Sequence, residues 1–194
     1  MILPWYNQLQ IDFLEVNKVL LQDYSVFEYG SGMSTVYYAN FVRKIVSIES
    51  RLSWFEKTKQ MLISNNDIKK IIQDIDDKFE ITFNNNNILL CLVQKDFANS
   101  ILEYKNTFTN RKTFIVIDSN ERAKCLEIST QIAKQNPKNT VIMLDNSERG
   151  NLQNSINNAI SMGFYHKTFS SIRPSDNQVS TSTIFSLNPD FFIS

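Results

Sequence analysis

The chain has 194 residues, of which 42% are hydrophobic and 21% charged, and its 20 Lys and Arg balance 20 Asp and Glu at formal net charge +0. That is the size of one domain able to bury a core without disulfide or metal staples, and the balance leaves no field for non-specific binding to nucleic acid or an anionic membrane. Only four Gly and four Pro are present, which excludes collagen-like and proline-rich chains, and nowhere do about 18 apolar residues run together as a membrane span requires.

The opening MILPWYNQLQIDF has neither the basic nor the apolar region of a signal peptide. Residues 9–21, LQIDFLEVNKVLL, carry an apolar stripe through Leu9, Phe13, Val16 and Leu20, with Asp12, Glu15 and Lys18 turned away, so a packing helix is expected over the first 24 residues. VFEYG then reads as a buried strand, SGMST as a tight loop and VYYANFV as a helix. A second strand and helix follow in KIVSIES (44–50) and LSWFEKTKQMLI. The Asn-, Asp-, Lys- and Ile-rich stretch from Ser64 to Asn87 reads as a helical piece, a short strand FEITF and a surface loop.

ILLCLVQ (88–94), TFIVIDS (113–119) and VIMLDNS (141–147) are further buried strands. Helices are expected in ERAKCLEISTQIAKQ, stopped near Pro137, and in NLQNSINNAISMG, ended by Gly163. FYHKTFSSI and STSTIFSL supply two last strands. Strands alternating with helices predict an α/β, Rossmann-like three-layer sandwich over residues 25–194, with a seven-stranded, mostly parallel sheet and an antiparallel last strand. Cys91 and Cys125 lie in apolar stretches without metal-ligand spacing, so they are expected as buried free thiols of a reducing, cytoplasmic setting.

In such a sheet, ligands bind beyond the carboxyl ends of the strands. Four of the expected strands end in a carboxylate: Glu28, Glu49, Asp118 and Asp145. Gly30 and Gly32 in the loop Glu28–Thr35 permit a tight strand-to-helix turn and close approach of backbone to ligand. Glu49, at the next strand tip, is placed to accept hydrogen bonds from ribose hydroxyls. A dinucleotide fingerprint would need Gly or Ala at Thr35, and Glu28 would set a negative charge beside phosphates, so a nicotinamide-dependent oxidoreductase is disfavoured. Glu28 suits a ligand bearing an amino group instead.

With FEYGSGMST, VSIES and the strand order through TSTIFSL, residues 26–188 resemble the class I S-adenosylmethionine-dependent methyltransferases, and EYGSG-ST, IDSNERAKCL and LDNSERG resemble a branch of small bacterial-type methyltransferase-like proteins. The resemblance implies that Gly30, Ser31 and Gly32, in a loop that includes Ser34 and Thr35, line the methionine moiety, that Glu49 holds the ribose, and that Asp96 approaches the adenine amine. It further implies methyl transfer to an oxygen, or a nitrogen, of a small molecule.

Asp118 with Asp145 and Asn146 puts three oxygen ligands at neighbouring strand tips, as a hard divalent ion such as magnesium accepts. That set resembles the metal site of cation-dependent O-methyltransferases, in which the ion acidifies an acceptor hydroxyl. The family's lysine after the first aspartate is replaced by Ser119, Asn120 and Glu121. This leaves Asp118 and Glu121 as catalytic candidates, and it keeps open a non-catalytic domain that binds a nucleoside ligand or a partner. The competing reading is that Asp118 and Asp145–Ser147 simply cap the following helices. His166, the only histidine, is read as a strand residue without a catalytic role, and Arg122, Lys124 and Arg149 as charges at helix starts.

Overall fold

The computed structural model describes residues 3–64, 68–83, 86–108 and 111–192. Helices α1 (Gln8–Val16) and α2 (Lys18–Leu21) lead into β1 (Ser25–Tyr29), α3 (Met33–Ala39), β2 (Lys44–Glu49) and α4 (Leu52–Ile63). Next come β3 (Ile68–Ile75), β4 (Lys78–Phe83), β5 (Asn86–Leu92) and α5 (Ile101–Phe108). The chain ends with β6 (Thr113–Ile117), α6 (Arg122–Gln135), β7 (Thr140–Leu144), α7 (Gln153–Ser161), β8 (Tyr165–Ile172) and β9 (Val179–Ser186).

All nine strands form one sheet in the order β3-β4-β5-β2-β1-β6-β7-β9-β8. The five strands from β5 to β7 are parallel, and β9 runs antiparallel to both of its neighbours. The expected seven-stranded sheet is therefore present, widened by an antiparallel pair, β3 and β4, on the β5 edge. This corrects the helical piece expected after Ser64. Ile68, Ile71, Ile72 and Ile75 recur at helical spacing, which the strand absorbs through two register shifts against β4. Residues 65–67, and Asn84 and Asn85 of the asparagine run, lie outside the described residues.

Alternation along the central strands divides the core in two. Val26, Ile45, Phe114, Val116, Val141 and Met143 pack against α1 to α4 through Tyr6, Leu14, Val36, Tyr38 and Phe55. Phe27, Tyr29, Val46, Ile48, Ile115, Ile117 and Leu144 pack on the other face with Cys125, Leu126 and Ile156. Cys91 and Cys125 are free and buried. Among the described residues, no helix is long and apolar enough to cross a membrane.

Strand order reverses at β1, which has β2 on one side and β6 on the other, so crossovers leave in opposite directions and a crevice opens above the strand ends there. Parity then fixes what faces it. Glu28, Ser47, Val116 and Met143 stand in one row across β2, β1, β6 and β7 on the face toward α3. Two residues later in each strand, Glu49, Gly30, Asp118 and Asp145 make the next row, held level by N–H donation from Gly30 to Ile48 (2.8 Å), Asp118 to Tyr29 (2.8 Å) and Asp145 to Ile117 (3.0 Å).

Candidate functional site

That last row floors a cleft of about 250 Å3 at the carboxyl edge of the sheet, lined also by Ser31, Gly32, Ser34, Arg51, Arg122, Asn146, Arg149, Arg173, Trp5, Tyr6 and Trp54. The loop after β1 depends on Gly30. Its φ is +93°, in the left-handed region, and a Cβ there would be driven into the carbonyl oxygen of Asp118. Gly32 differs: its backbone is extended, and a Cβ built on it meets nothing within 4 Å. The glycine required by the fold is therefore Gly30, while Gly32 leaves space in the lining of the cleft.

Glu49 is 3% exposed and its carboxylate is held by backbone. One oxygen accepts the N–H groups of Ser50 and Arg51, both at 2.9 Å, and the other accepts the N–H of Ser31 at 3.1 Å. Three amides thus fix the direction of an anionic acceptor at the β2 tip, beside the glycine loop. At the mouth, Trp5 and Trp54 meet edge to face with ring centres 5.9 Å apart, and Lys57 lies 4.4 Å over the Trp54 ring.

Glu28 does not reach the cleft, which corrects its expected contact with a ligand amino group. It stands one row short of the tip, about 7 Å lower along the strand, under the first turn of α3. Both oxygens are taken by hydroxyl donors: Ser34 at 2.5 Å, Thr35 at 2.5 Å and Ser47 at 2.6 Å. Thr35 also accepts the N–H of Gly32 at 3.0 Å and is wholly buried, so it ties the loop to Glu28 from beneath rather than lining the site. Burial pushes the Glu28 carboxyl up to about 7, against the opposing pull of its three hydroxyl bonds.

Two other sequence candidates also lie elsewhere. Asp96, in a left-handed conformation after β5, accepts from Asn99 at 2.6 Å, is largely exposed and does not line the cleft. Glu121 is an exposed residue just before α6 and is likewise outside the lining. His166 is exposed on β8.

The tips of β6 and β7 do bring Asp118, Asp145 and Asn146 together, but around an arginine. Arg122, the first residue of α6, is 7% exposed. Its Nη2 donates to Asp118 Oδ1 and to Asn146 Oδ1 (3.0 Å), its Nη1 to the carbonyl of Ser119, and its Nε to the carbonyl of Asp145 (3.0 Å). These contacts overturn both readings made from sequence. A permanent cation bonds the side-chain oxygens of Asp118 and Asn146 and stands 3.9 Å from Asp145 Oδ2, so the set does not fit a divalent ion, and among the described residues no group of three His, Cys, Asp or Glu could hold one. Nor do Asp118 or Asp145 cap a helix, since α6 and α7 begin without a side-chain cap. A signal for Arg122 was available: a cation at the first turn opposes the helix dipole and needs carboxylates nearby to be stable there.

Asp145 is 2% exposed, and burial, followed by the charge of Asp118, pushes its carboxyl up, while Ser182 and Arg122 oppose the rise. The Ser182 hydroxyl stands between Asp145 Oδ1 at 2.8 Å and Gln10 Oε1 at 2.6 Å and accepts from Asn7 Nδ2 at 3.5 Å. Asp118, by contrast, is one-third exposed and lines the cleft with one oxygen clamped by Arg122. Chemically, the cleft offers an amide-held carboxylate at one end and an arginine-held carboxylate at the other.

No protein-family model matches the chain, and no curated protein matches it. Solved structures do. The O-methyltransferase TomG from Streptomyces achromogenes, in complex with S-adenosylmethionine and involved in tomaymycin synthesis, aligns at TM-score 0.62 and 14% identity over 92% of this chain and 79% of its own. An O-methyltransferase from Bacillus cereus with S-adenosylhomocysteine aligns at 0.56 and 14%, over 92% and 81%. An rRNA methylase from Streptococcus thermophilus aligns at 0.55 and 14%, over 93% and 95%. The nine-stranded sheet and the cleft above its switch point thus belong to a chain that shares the fold of these methyltransferases.

Proposed function

We propose that this protein is an enzyme that transfers a methyl group from S-adenosylmethionine to an oxygen, or a nitrogen, of a small-molecule acceptor. One observation carries the reading. Glu49, the loop Gly30–Ser31–Gly32 and Asp118, from three adjacent strand tips, line a single cleft in a fold whose solved examples include complexes with that donor and its product. The open space at Gly32 fits a ligand drawn against the loop backbone.

The donor, when bound, supplies a methyl group already activated by its sulfonium. The residues of the chain supply position. Gly30, Ser31, Gly32 and Ser34 would border the methionine portion, and Glu49, aimed by three amides, would accept the ribose hydroxyls. Asp118, clamped through one oxygen, would take the hydrogen bond of an acceptor O–H or N–H and receive its proton as the new bond forms. Trp5 and Trp54 would narrow the mouth and keep out water. Holding acceptor and methyl in line is where most of the rate would arise.

Calorimetric titration tests this. S-adenosylhomocysteine should bind and NAD should not, and Glu49→Ala should weaken the former by about 1.5–3 kcal/mol, the range for hydrogen bonds to a charged group. Binding of NAD alone, or of neither ligand, would overturn the reading.

A further inference from the structure

Arg122 is the one buried guanidinium in the cleft, and its contacts are those expected of a bound cation. Four of its five N–H groups go to oxygens of Asp118, Ser119, Asp145 and Asn146, contributed by the tips of two neighbouring strands. Nη2 also lies 3.9 Å from Asp145 Oδ2, so it stands between the two carboxylates. A metal ion of oxygen-ligand type would have to sit among these same atoms. It cannot share them with a guanidinium that is permanently charged and anchored by the first turn of α6.

We propose that Arg122 is a built-in cation that takes the place of a divalent metal at the tips of β6 and β7, leaving Asp118 to act on the acceptor through its remaining oxygen. The consequence is a specificity. A metal favours acceptors that chelate it through two adjacent oxygens. A carboxylate held by arginine selects instead for a single hydroxyl or amine that can donate one hydrogen bond. The specificity rests on the methyl-transfer reading, whereas the cation site itself can be probed without donor or acceptor.

The probe is manganese(II), followed by the electron paramagnetic resonance signal of the free ion, with protein in excess. Wild type should leave the signal intact. Arg122→Ala should diminish it, the additional change Asp145→Asn should restore it, and guanidinium chloride at non-denaturing concentration should return manganese to solution by refilling the vacancy. A folded Arg122→Ala protein that takes up no manganese would overturn the proposal, because the oxygens would then not constitute a cation site. Circular dichroism reports whether that variant folds. If it does not, Arg122→Gln takes its place: manganese uptake that Asp145→Asn abolishes supports the built-in cation, whereas no uptake by a folded Arg122→Gln protein, or uptake by wild type that Asp118→Asn abolishes, overturns it. S-adenosylhomocysteine titrated into the same wild-type sample separates failure of this proposal from failure of the donor reading.

Discussion

The two ends of the cleft hold their carboxylates by different means. At the tip of β2, Glu49 is fixed by the N–H groups of Ser31, Ser50 and Arg51, which belong to the loops leaving β1 and β2. At the tips of β6 and β7, Asp118 and Asp145 are gathered by the side chain of Arg122. Backbone amides are neutral and fix the Glu49 carboxylate in direction, and the largely exposed Arg51 side chain approaches it only at 3.8 Å. At the far end one guanidinium stands between two carboxylates and clamps one oxygen of Asp118, leaving the other oxygen to face a ligand. One end is therefore suited to gripping polar hydroxyls and the other to orienting a single donor.

The two ends depend most on the loop that joins them. Gly30 touches both, donating its N–H to the carbonyl of Ile48 and leaving no room for a Cβ beneath Asp118. Gly30→Ala should cost more than about 4 kcal/mol, read as loss of the cooperative urea transition. A stable, soluble Gly30→Ala protein would show that the loop can be rebuilt without this contact.

Next in size is the arginine-held end. Arg122→Met removes the charge but keeps much of the volume, leaving two carboxylates beside each other without the guanidinium between them. A loss of about 3–5 kcal/mol in urea unfolding is expected, as for a broken buried ion pair. Glu49→Gln, at the amide-held end, should cost less, since its one charged partner, Arg51, is largely exposed and stays solvated.

A third test concerns Glu28, one row below the cleft. Its carboxyl is raised by burial from 4.5 to about 7, so the folded state binds a proton that the unfolded chain releases. The sign follows directly: this contribution is complete below about pH 4.5 and is lost as pH rises through about 7. The rise is equivalent to roughly 3 kcal/mol at about 1.4 kcal/mol per pH unit. Urea midpoints measured between pH 5 and 8 should fall with pH in wild type, with a clearly shallower slope in Glu28→Gln. Equal slopes would mean that Glu28 keeps an ordinary carboxylate titration despite its burial.

What the sequence disclosed follows the same division. The parallel strands were legible because buried runs such as TFIVI and TVIML are continuous, and the glycine loop because a tight turn after VFEY demands it. β3 was not, since its isoleucines fall at helical spacing and only pairing with β4 makes them a strand. Glu28 was misread because a pattern locates a strand end only to within a residue or two, and a shift of that size moves a side chain from the cleft to the floor beneath α3. Arg122 was missed because its partners come from β6, β7 and the loops beyond them, up to 24 residues away in sequence. Local patterns carry backbone geometry; convergence of side chains from separate strands is a tertiary fact.

Whether the donor lies against the β1 loop is decided at Gly32, where an added Cβ meets no protein atom within 4 Å. S-adenosylhomocysteine should be titrated calorimetrically into wild type and Gly32→Val, with thermal melts of both. The account predicts an unchanged melting profile together with loss of measurable binding in the variant. Binding of equal affinity to a folded Gly32→Val protein would contradict it.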